Sequence, residues 1–196
     1  MKIKTKKYVL ATTLLITTTI ASAENYQKIG FYFGAGLSQT NLIANQPNLS
    51  AAYSTNPQST FEPNGFGIGL MAGIKLDQHL AFEAAYTNIG SIALDNGTTQ
   101  KKAFNADLFN INAVLSTPIS NNINAFGKLG ISLWETYDDD LNTMDSGNGL
   151  LYGAGFDINV YGNDKRTLRV EWTHNEFENI IFESAATVSV SALFNF

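Results

Sequence analysis

The sequence predicts an all-β fold, an eight-stranded antiparallel up-and-down transmembrane β-barrel. Two observations predict it: eight segments in which apolar and polar residues alternate, and connections between them that alternate in length. The absence of cysteine excludes a disulfide scaffold and a thiolate zinc site, and is compatible with a barrel closed by its own hydrogen bonds. Each segment is close to the roughly 9–11 residues that a tilted strand needs to cross a bilayer. After the first residues no apolar run approaches the length of a membrane helix, so any membrane crossing has to use strands.

The N-terminal residues 1–23 predict a cleaved signal peptide. Four lysines among the first seven residues precede the 13-residue apolar and threonine-rich run Tyr8–Ile20, which is followed by Ala21-Ser22-Ala23. This pattern is typical of a secretory signal, and the run is too short to span a bilayer as a helix. We expect cleavage after Ala23, which leaves residues 24–196 as one barrel domain. That domain has 8 basic and 17 acidic residues, a net charge of −9, which argues against nucleic acid as a partner.

The eight segments each place apolar side chains on one face and glycine, small or polar side chains on the other. In the third segment, for example, Phe82 and Tyr86 oppose Glu83. The last segment alternates up to the terminal Phe196, so the chain ends in mid-strand. The predicted segments are Ile29–Ser38, Gly65–Leu76, Leu80–Asn88, about Asn105–Thr117, Ile123–Trp134, Gly149–Val160, Thr167–Asn175 and Ala185–Phe196.

The connections alternate between long and short. The long ones are Gln39–Asn64, Ile89–Phe104, Glu135–Asn148 and Glu176–Ser184, and the short ones are Asp77–His79, Pro118–Asn122 and Tyr161–Arg166. In an up-and-down sheet this order places all long loops at one end and all short turns at the other. Transmembrane barrels have this asymmetry.

Alternation alone does not decide which face points inward, because a soluble lipocalin-like barrel has the same pattern with apolar residues inside. We favour the apolar face outward, toward lipid, for three reasons: the loop asymmetry, the many glycines opposite a few long charged side chains, and aromatic residues near the strand ends. The expected girdles are Phe66, Tyr86, Trp134, Tyr152, Trp172 and Phe177 toward the long loops, and Tyr26, Tyr161, Phe194 and Phe196 toward the short turns.

Charged side chains on the polar face predict a lumen ion-pair network, because desolvated charges have to be paired. The expected members are Lys75, Glu83, Lys128, Arg169 and Glu171. Eight strands give a lumen just wide enough for side chains to fill. We therefore expect this network to plug the barrel rather than to conduct ions.

The signal peptide, the eight strands, the run GLLYGAGFDINVYGNDKRTLRVEWTHNEF and the terminal phenylalanine resemble the OmpA-like and OmpX/Ail-like eight-stranded outer-membrane barrels of Gram-negative bacteria. The resemblance implies an outer-membrane location in the cell envelope. It also implies that Phe194 and Phe196 act as a C-terminal signal for the barrel-assembly machinery. Because the sequence has nothing after Phe196, we expect the barrel alone, without a peptidoglycan-binding domain.

Catalytic and metal-binding patterns are weak. His79 lies in a short turn, and His174 is followed two residues later by Glu176 rather than by the serine that a lipid A deacylase barrel would place there. The acidic run Asp138–Asp140 in the third long loop could bind divalent cations, but a solvated loop is the favoured interpretation. We expect no catalytic residue, no resident metal and no cofactor.

The sequence therefore predicts an outer-membrane barrel with a structural or surface-interaction role, such as envelope integrity or adhesion through exposed loops. Two alternatives stay open: a narrow, porin-like ion channel and a lipid-modifying enzyme. The expected partners are outer-membrane lipids and lipopolysaccharide, the assembly machinery, and a host or surface ligand at the loops. We expect a monomer.

Overall fold

The computed structural model describes residues 29–44, 60–61, 64–95, 101–137, 143–160, 165–177 and 182–196. The predicted signal peptide, the girdle residues Tyr26 and Tyr161, and the acidic run Asp138–Asp140 lie outside these residues. The predictions made for them stay predictions.

The described chain is almost entirely strand. Eight long strands of 11 to 20 residues and one two-residue strand are present: β1 Gly30–Ala44, β2 Thr60–Phe61, β3 Asn64–Lys75, β4 Leu80–Asp95, β5 Lys101–Ser120, β6 Ile123–Tyr137, β7 Thr143–Asn159, β8 Arg166–Glu176 and β9 Phe182–Asn195. Among these residues no helix has the length and the apolar character needed to cross a membrane.

The strands extend further than the alternating segments predicted. The β4–β5 ladder continues to the pair of Asp95 and Lys101, and β6 pairs with β7 as far as Tyr137 and Thr143. The predicted loops 89–104 and 135–148 are therefore largely strand. Antiparallel pairing satisfies backbone N–H and C=O groups in water as well as in lipid, so a hairpin can continue beyond its apolar part.

The sheet closes into a barrel, which confirms the predicted fold class. Each long strand pairs antiparallel with the next, and β9 pairs with β1 from Asn195 opposite Tyr32 onward. The short β2 pairs only with the outer part of β4, at Leu94 and Asp95. Closure removes free strand edges, whose backbone N–H and C=O groups would have no hydrogen-bond partner in hydrocarbon.

The stagger of the barrel fixes which side chains share a level. Starting from Tyr32 and following Cα partners around the sheet leads back to β1 at Leu42, ten residues further along. The partners on this path are Gly73, Glu83, Asn112, Gly130, Leu151, Asn175 and Ala185. Each step thus rises toward the long-loop end, because strands in a closed barrel tilt against its axis.

The apolar faces point outward, as predicted. Side chains such as Leu70, Leu129 and Val190 are exposed on the outside, whereas Glu83 and Arg169 are almost completely buried in the lumen. Two of the predicted girdle residues are different. Trp134 is only 4% exposed and Phe177 only 9%, and their rings pack together at 5.3 Å. Both lie on the lumen side of their strands, so the expectation that they join the outer girdle is wrong.

The short turn between β3 and β4 is held by one carboxylate. Asp77 Oδ1 accepts hydrogen bonds from the backbone N–H groups of His79, at 2.6 Å, and Leu80, at 2.7 Å. These two donors hold the pKa of Asp77 below the ordinary value for an aspartate, because they favour its charged form.

We therefore expect this turn to lose stability in acid. A depressed folded-state pKa contributes stability above the unfolded pKa, and that contribution is lost as the pH falls through the folded value. Carboxyl NMR titration should give Asp77 a lower midpoint than an aspartate in an unstructured peptide. Asp77→Asn, which keeps an oxygen acceptor but cannot titrate, should remove this part of the pH dependence. An ordinary midpoint for Asp77 would contradict the expectation.

Candidate functional site

The lumen site is built by three strands, which together direct four charged side chains inward. Glu83 lies on β4, Lys128 on β6, and Arg169 and Glu171 on β8. All four are at least nine-tenths buried. The period-2 alternation that exposes the apolar neighbours to lipid brings these side chains to the barrel axis.

The structure brings four of the five predicted network residues together. Lys128 Nζ lies 2.9 and 2.8 Å from the two carboxylate oxygens of Glu171, and 3.4 Å from Glu83 Oε1. Arg169 Nη1 donates to the other oxygen of Glu83. Glu83 therefore links the two cations, and one connected ion-pair cluster crosses the lumen.

Two further members were not predicted. Asp157, the cross-strand partner of Arg169, accepts a bidentate pair of hydrogen bonds from its guanidinium at 2.7 and 2.9 Å. The Tyr32 hydroxyl donates to Glu83 Oε2 at 2.8 Å. Both residues occupy the polar face of their predicted segments, so the same alternation could have identified them. With Asp157 included, three carboxylates face two cations in the cluster.

Lys75 takes a different position. Its Nζ donates to Asn195 Oδ1 at 2.9 Å and lies 5.6 Å from the centre of the Tyr32 ring. This places Lys75 at the short-turn mouth, next to a cavity of about 620 Å³ that reaches inward as far as Asp157 and Arg169. Lys75 therefore lies at the edge of the ion-pair cluster rather than in its centre.

Two aromatic rings contact the guanidinium of Arg169. The Arg169 Cζ atom lies 4.4 Å from the centre of the Phe126 ring and 5.7 Å from that of Tyr32. Such contacts are attractive for a cation over a ring face. Glycines make the space for these rings: a Cβ at Gly155 would lie 2.6 Å from Phe126, and one at Gly73 would lie 2.2 Å from Tyr32.

We expect Gly73→Ala to lower the free energy of unfolding by about 1–3 kcal/mol, because the added methyl overpacks the lumen and displaces Tyr32 from Glu83. Gly127→Ala is the matched control, since the atom nearest to its added Cβ is 3.9 Å away. Urea titration of both variants in the same detergent would measure the difference. Equal stability of the two would mean that Tyr32 can move without cost.

The two histidines lie away from the lumen cluster. His174 lies on the outer wall, with its ring centre 5.1 Å from that of Tyr152 and 6.0 Å from that of Trp172. His79 Nδ1 lies 3.0 Å from the carbonyl oxygen of Ser116 in the short turns. Within the part of the chain that the structure describes, no group of three or more His, Asp or Glu side chains is arranged to hold a metal ion.

The C-terminal aromatics lie at the seam where β9 meets β1. The backbone of Phe196 exchanges hydrogen bonds with that of Phe31, at 2.8 and 3.4 Å. The ring of Phe33 stacks on Phe194 at 5.4 Å and on Phe196 at 5.5 Å. The terminal strand is thus fixed to its neighbour up to its last residue.

Comparisons with known proteins agree with this architecture. A family model described as "Outer membrane protein beta-barrel domain" matches residues 10–196. No curated protein matches the sequence. The crystal structure of neisserial surface protein A is similar with a TM-score of 0.62 and 14% identity, over 85% of this chain and 97% of that one.

Two further structures have the same fold. The outer membrane protein OprG of Pseudomonas aeruginosa has a TM-score of 0.58 and 11% identity, over 87% of this chain and 97% of that one. The attachment invasion locus protein Ail of Yersinia pestis, crystallised with the heparin analogue sucrose octasulfate, has a TM-score of 0.54 and 12% identity, over 87% and 100% of the two chains.

Proposed function

This chain belongs to the outer-membrane protein β-barrel family, and within that family we propose that it is a closed barrel with a structural and surface-interaction role. The protein is located in the bacterial outer membrane. The observation that carries the proposal is the lumen, where buried ion pairs and aromatic rings occupy the axis. A barrel blocked in this way can contribute stability to the membrane and present loops, but offers no wide aqueous path.

The composition of the long connections supports a ligand that is not a polyanion. The segments 39–64, 89–104, 135–148 and 176–184 contain ten acidic residues and two lysines. Ail was crystallised with a heparin analogue, which is itself highly sulfated. An acidic surface repels such a ligand, so we propose that the loops of this chain bind a cationic or neutral surface.

A deletion strain tests both parts of the proposal. We expect increased sensitivity to detergent and reduced binding to host cells or surfaces, each restored by the intact gene. A variant with Asp138, Asp139 and Asp140 all changed to asparagine should restore detergent resistance but not binding. A deletion strain that is normal in both assays would contradict the proposal.

A narrow ion channel is the second candidate, and the charge count of the lumen cluster predicts which ions it would select. Three buried carboxylates against two cations would make any conducting path selective for cations. Single-channel recording on the reconstituted protein separates the candidates. We expect no discrete openings, and regular cation-selective openings would replace the closed barrel with a channel.

An enzymatic role is tested through His174. Its neighbours on the outer wall are the aromatic rings of Tyr152 and Trp172, an arrangement that supports a structural rather than a catalytic histidine. We propose that the chain is not an enzyme, and expect His174→Ala to leave the lipid A profile of the cell unchanged. An altered profile would support a lipid-modifying activity.

We propose that Phe194 and Phe196 also serve as the assembly signal that the family resemblance implies. Phe196→Ala should then reduce the amount of folded barrel in cells. The same variant, refolded from urea in detergent, should reach the barrel state, because the backbone bonds between Phe196 and Phe31 do not need the ring. Normal assembly of Phe196→Ala in cells would remove this role.

A further inference from the structure

The side chains inside the lumen form three levels along the barrel axis, which the stagger of the strands defines. The ion-pair cluster occupies the level toward the short turns. Above it, toward the long loops, lies a level of hydroxyl and amide side chains, and above that a level of apolar ones. The two upper levels were not predicted from the sequence.

The middle level contains buried polar atoms that lack a protein partner. They are Ser38 Oγ, Asn110 Oδ1, Ser132 Oγ and both amide atoms of Asn112 and of Asn175. All five residues are at least nine-tenths buried. Buried amides and hydroxyls without a partner are costly, and in proteins such groups are ordinarily satisfied by ordered water.

A cavity in the same level can hold that water. Its volume is about 30 Å³, and it lies between Ser38, Asn110 and Asn175 on its outer side and the Lys128–Glu171 pair on its inner side. One water molecule needs about 10–15 Å³ of such space, so the cavity accepts roughly two. The ion pairs separate it from the large cavity at the short-turn mouth.

On its outer side, toward the long loops, Leu108 lines the cavity, and most of the buried side chains beyond it are apolar. Seven side chains lie at one level there and are at least nine-tenths buried, and we call them the collar: Leu42, Ile89, Ala106, Leu108, Trp134, Phe177 and Ala185. They come from β1, β4, β5, β6 and β9 and from the residue that follows β8, so they surround the axis. Trp134 and Phe177, in ring contact, are the largest members.

We propose that the middle level is a closed binding site for ordered water, and that the collar is a second barrier to ions in series with the ion-pair cluster. An apolar constriction excludes ions because they cannot shed their hydration there. The collar therefore closes the lumen from the outside by a different physical means than the ion pairs use from the inside. We call the cavity between these two barriers the chamber. Its inner barrier is inferred from the closed lumen proposed above, and its outer barrier is inferred independently of it.

The absence of cysteine in the chain allows a direct test of closure. Ser38→Cys places one thiol among the residues that line the chamber, and Ser146→Cys places one on the exposed rim. With a charged methanethiosulfonate reagent on nanodisc-embedded protein, we expect the thiol at position 38 to react on the order of 100-fold more slowly than that at position 146. Equally fast reaction at both positions would show that the chamber is open.

Removing the collar should open the chamber. Adding Trp134→Ala to Ser38→Cys is expected to accelerate labelling at least about tenfold, a change of about 1.4 kcal/mol in the access equilibrium. Trp172→Ala is the matched control, because this tryptophan lies on the outer wall and is 43% exposed. It should leave the rate unchanged. Phe177→Ala gives a second collar variant if Trp134→Ala does not reach the heat-modifiable barrel state on a gel.

The outcomes separate this inference from the proposed function. If both collar variants fold and label as slowly as the parent, the collar is not a barrier, although the closed barrel still stands. If the wild type conducts ions, the closed barrel itself fails. Water is tested by NMR cross-relaxation: the side-chain amides of Asn110 and Asn175, which line the cavity, should show exchange with bound water, and the absence of this exchange would overturn the water site.

Discussion

Replacing Arg169 with methionine is expected to lower the free energy of unfolding by about 3–5 kcal/mol. The guanidinium serves two carboxylates at once, Asp157 through a bidentate contact and Glu83 through Nη1. Methionine fills much of the same volume, so the loss comes from buried Asp157 left without its cation and from Glu83 left with Lys128 alone, at 3.4 Å. Removing one partner of a buried ion pair costs more than the intact pair contributes, because an uncompensated charge stays in the lumen.

Arg166→Met is the control for this variant. Arg166 lies on the same strand, three residues earlier, and is exposed, so its replacement should change the free energy of unfolding by no more than about 0.5 kcal/mol. Urea titration in the same lipid or detergent, with the folded fraction read from gel mobility, measures both. If the two variants cost the same, the cluster is hydrated well enough to do without Arg169.

The double variant Glu83→Gln with Arg169→Met tests whether the pair acts as a unit. Glutamine keeps an acceptor for Tyr32 and for Lys128 but removes the carboxylate charge that Arg169→Met leaves with Lys128 as its cation. We expect the double variant to be more stable than the sum of the two single effects predicts, with a coupling of about 0.5–3 kcal/mol. Strict additivity would mean that the two side chains do not interact in solution.

The number and the order of the strands could be predicted from the sequence because the alternation has a period of two, and a shift by one residue would move every apolar side chain into the lumen. The ends of the strands could not be predicted in this way. Beyond the membrane the outward face no longer needs to be apolar, so the pattern disappears at Asn88 although backbone pairing continues to Asp95. Trp134 was assigned to the girdle from its place near a strand end, whereas its position in the alternation places it in the lumen.

Part of the lumen site could be predicted from the sequence for a related reason. Glu83, Lys128, Arg169 and Glu171 are charged and lie on the polar face, which is enough to place them inside. Which residues meet depends on the ten-residue stagger around the barrel, and no local pattern encodes it. The bidentate contact from Asp157 and the three levels of the lumen follow from that stagger, so they emerge only when the strands are paired.

Leu129→Arg is the second large effect, an expected loss of about 2–4 kcal/mol. Leu129 is 59% exposed near the middle of the apolar belt, and its neighbour Lys128 is 6% exposed in the lumen. The two positions lie on one strand at nearly one depth. A native cation is held at one of them by two carboxylates, whereas an introduced cation at the other would meet hydrocarbon.

Ile119→Arg is the control variant for the effect of depth in the membrane. Ile119 is 60% exposed and lies at the short-turn end of β5, beside the mouth cavity, where the cost should be about 0–1 kcal/mol. Unfolding free energies in lipid vesicles give the difference directly. A barrel surrounded by water would tolerate both arginines equally, so equal costs would contradict a lipid-facing wall, whereas a loss confined to position 129 places the hydrocarbon against the middle of β6.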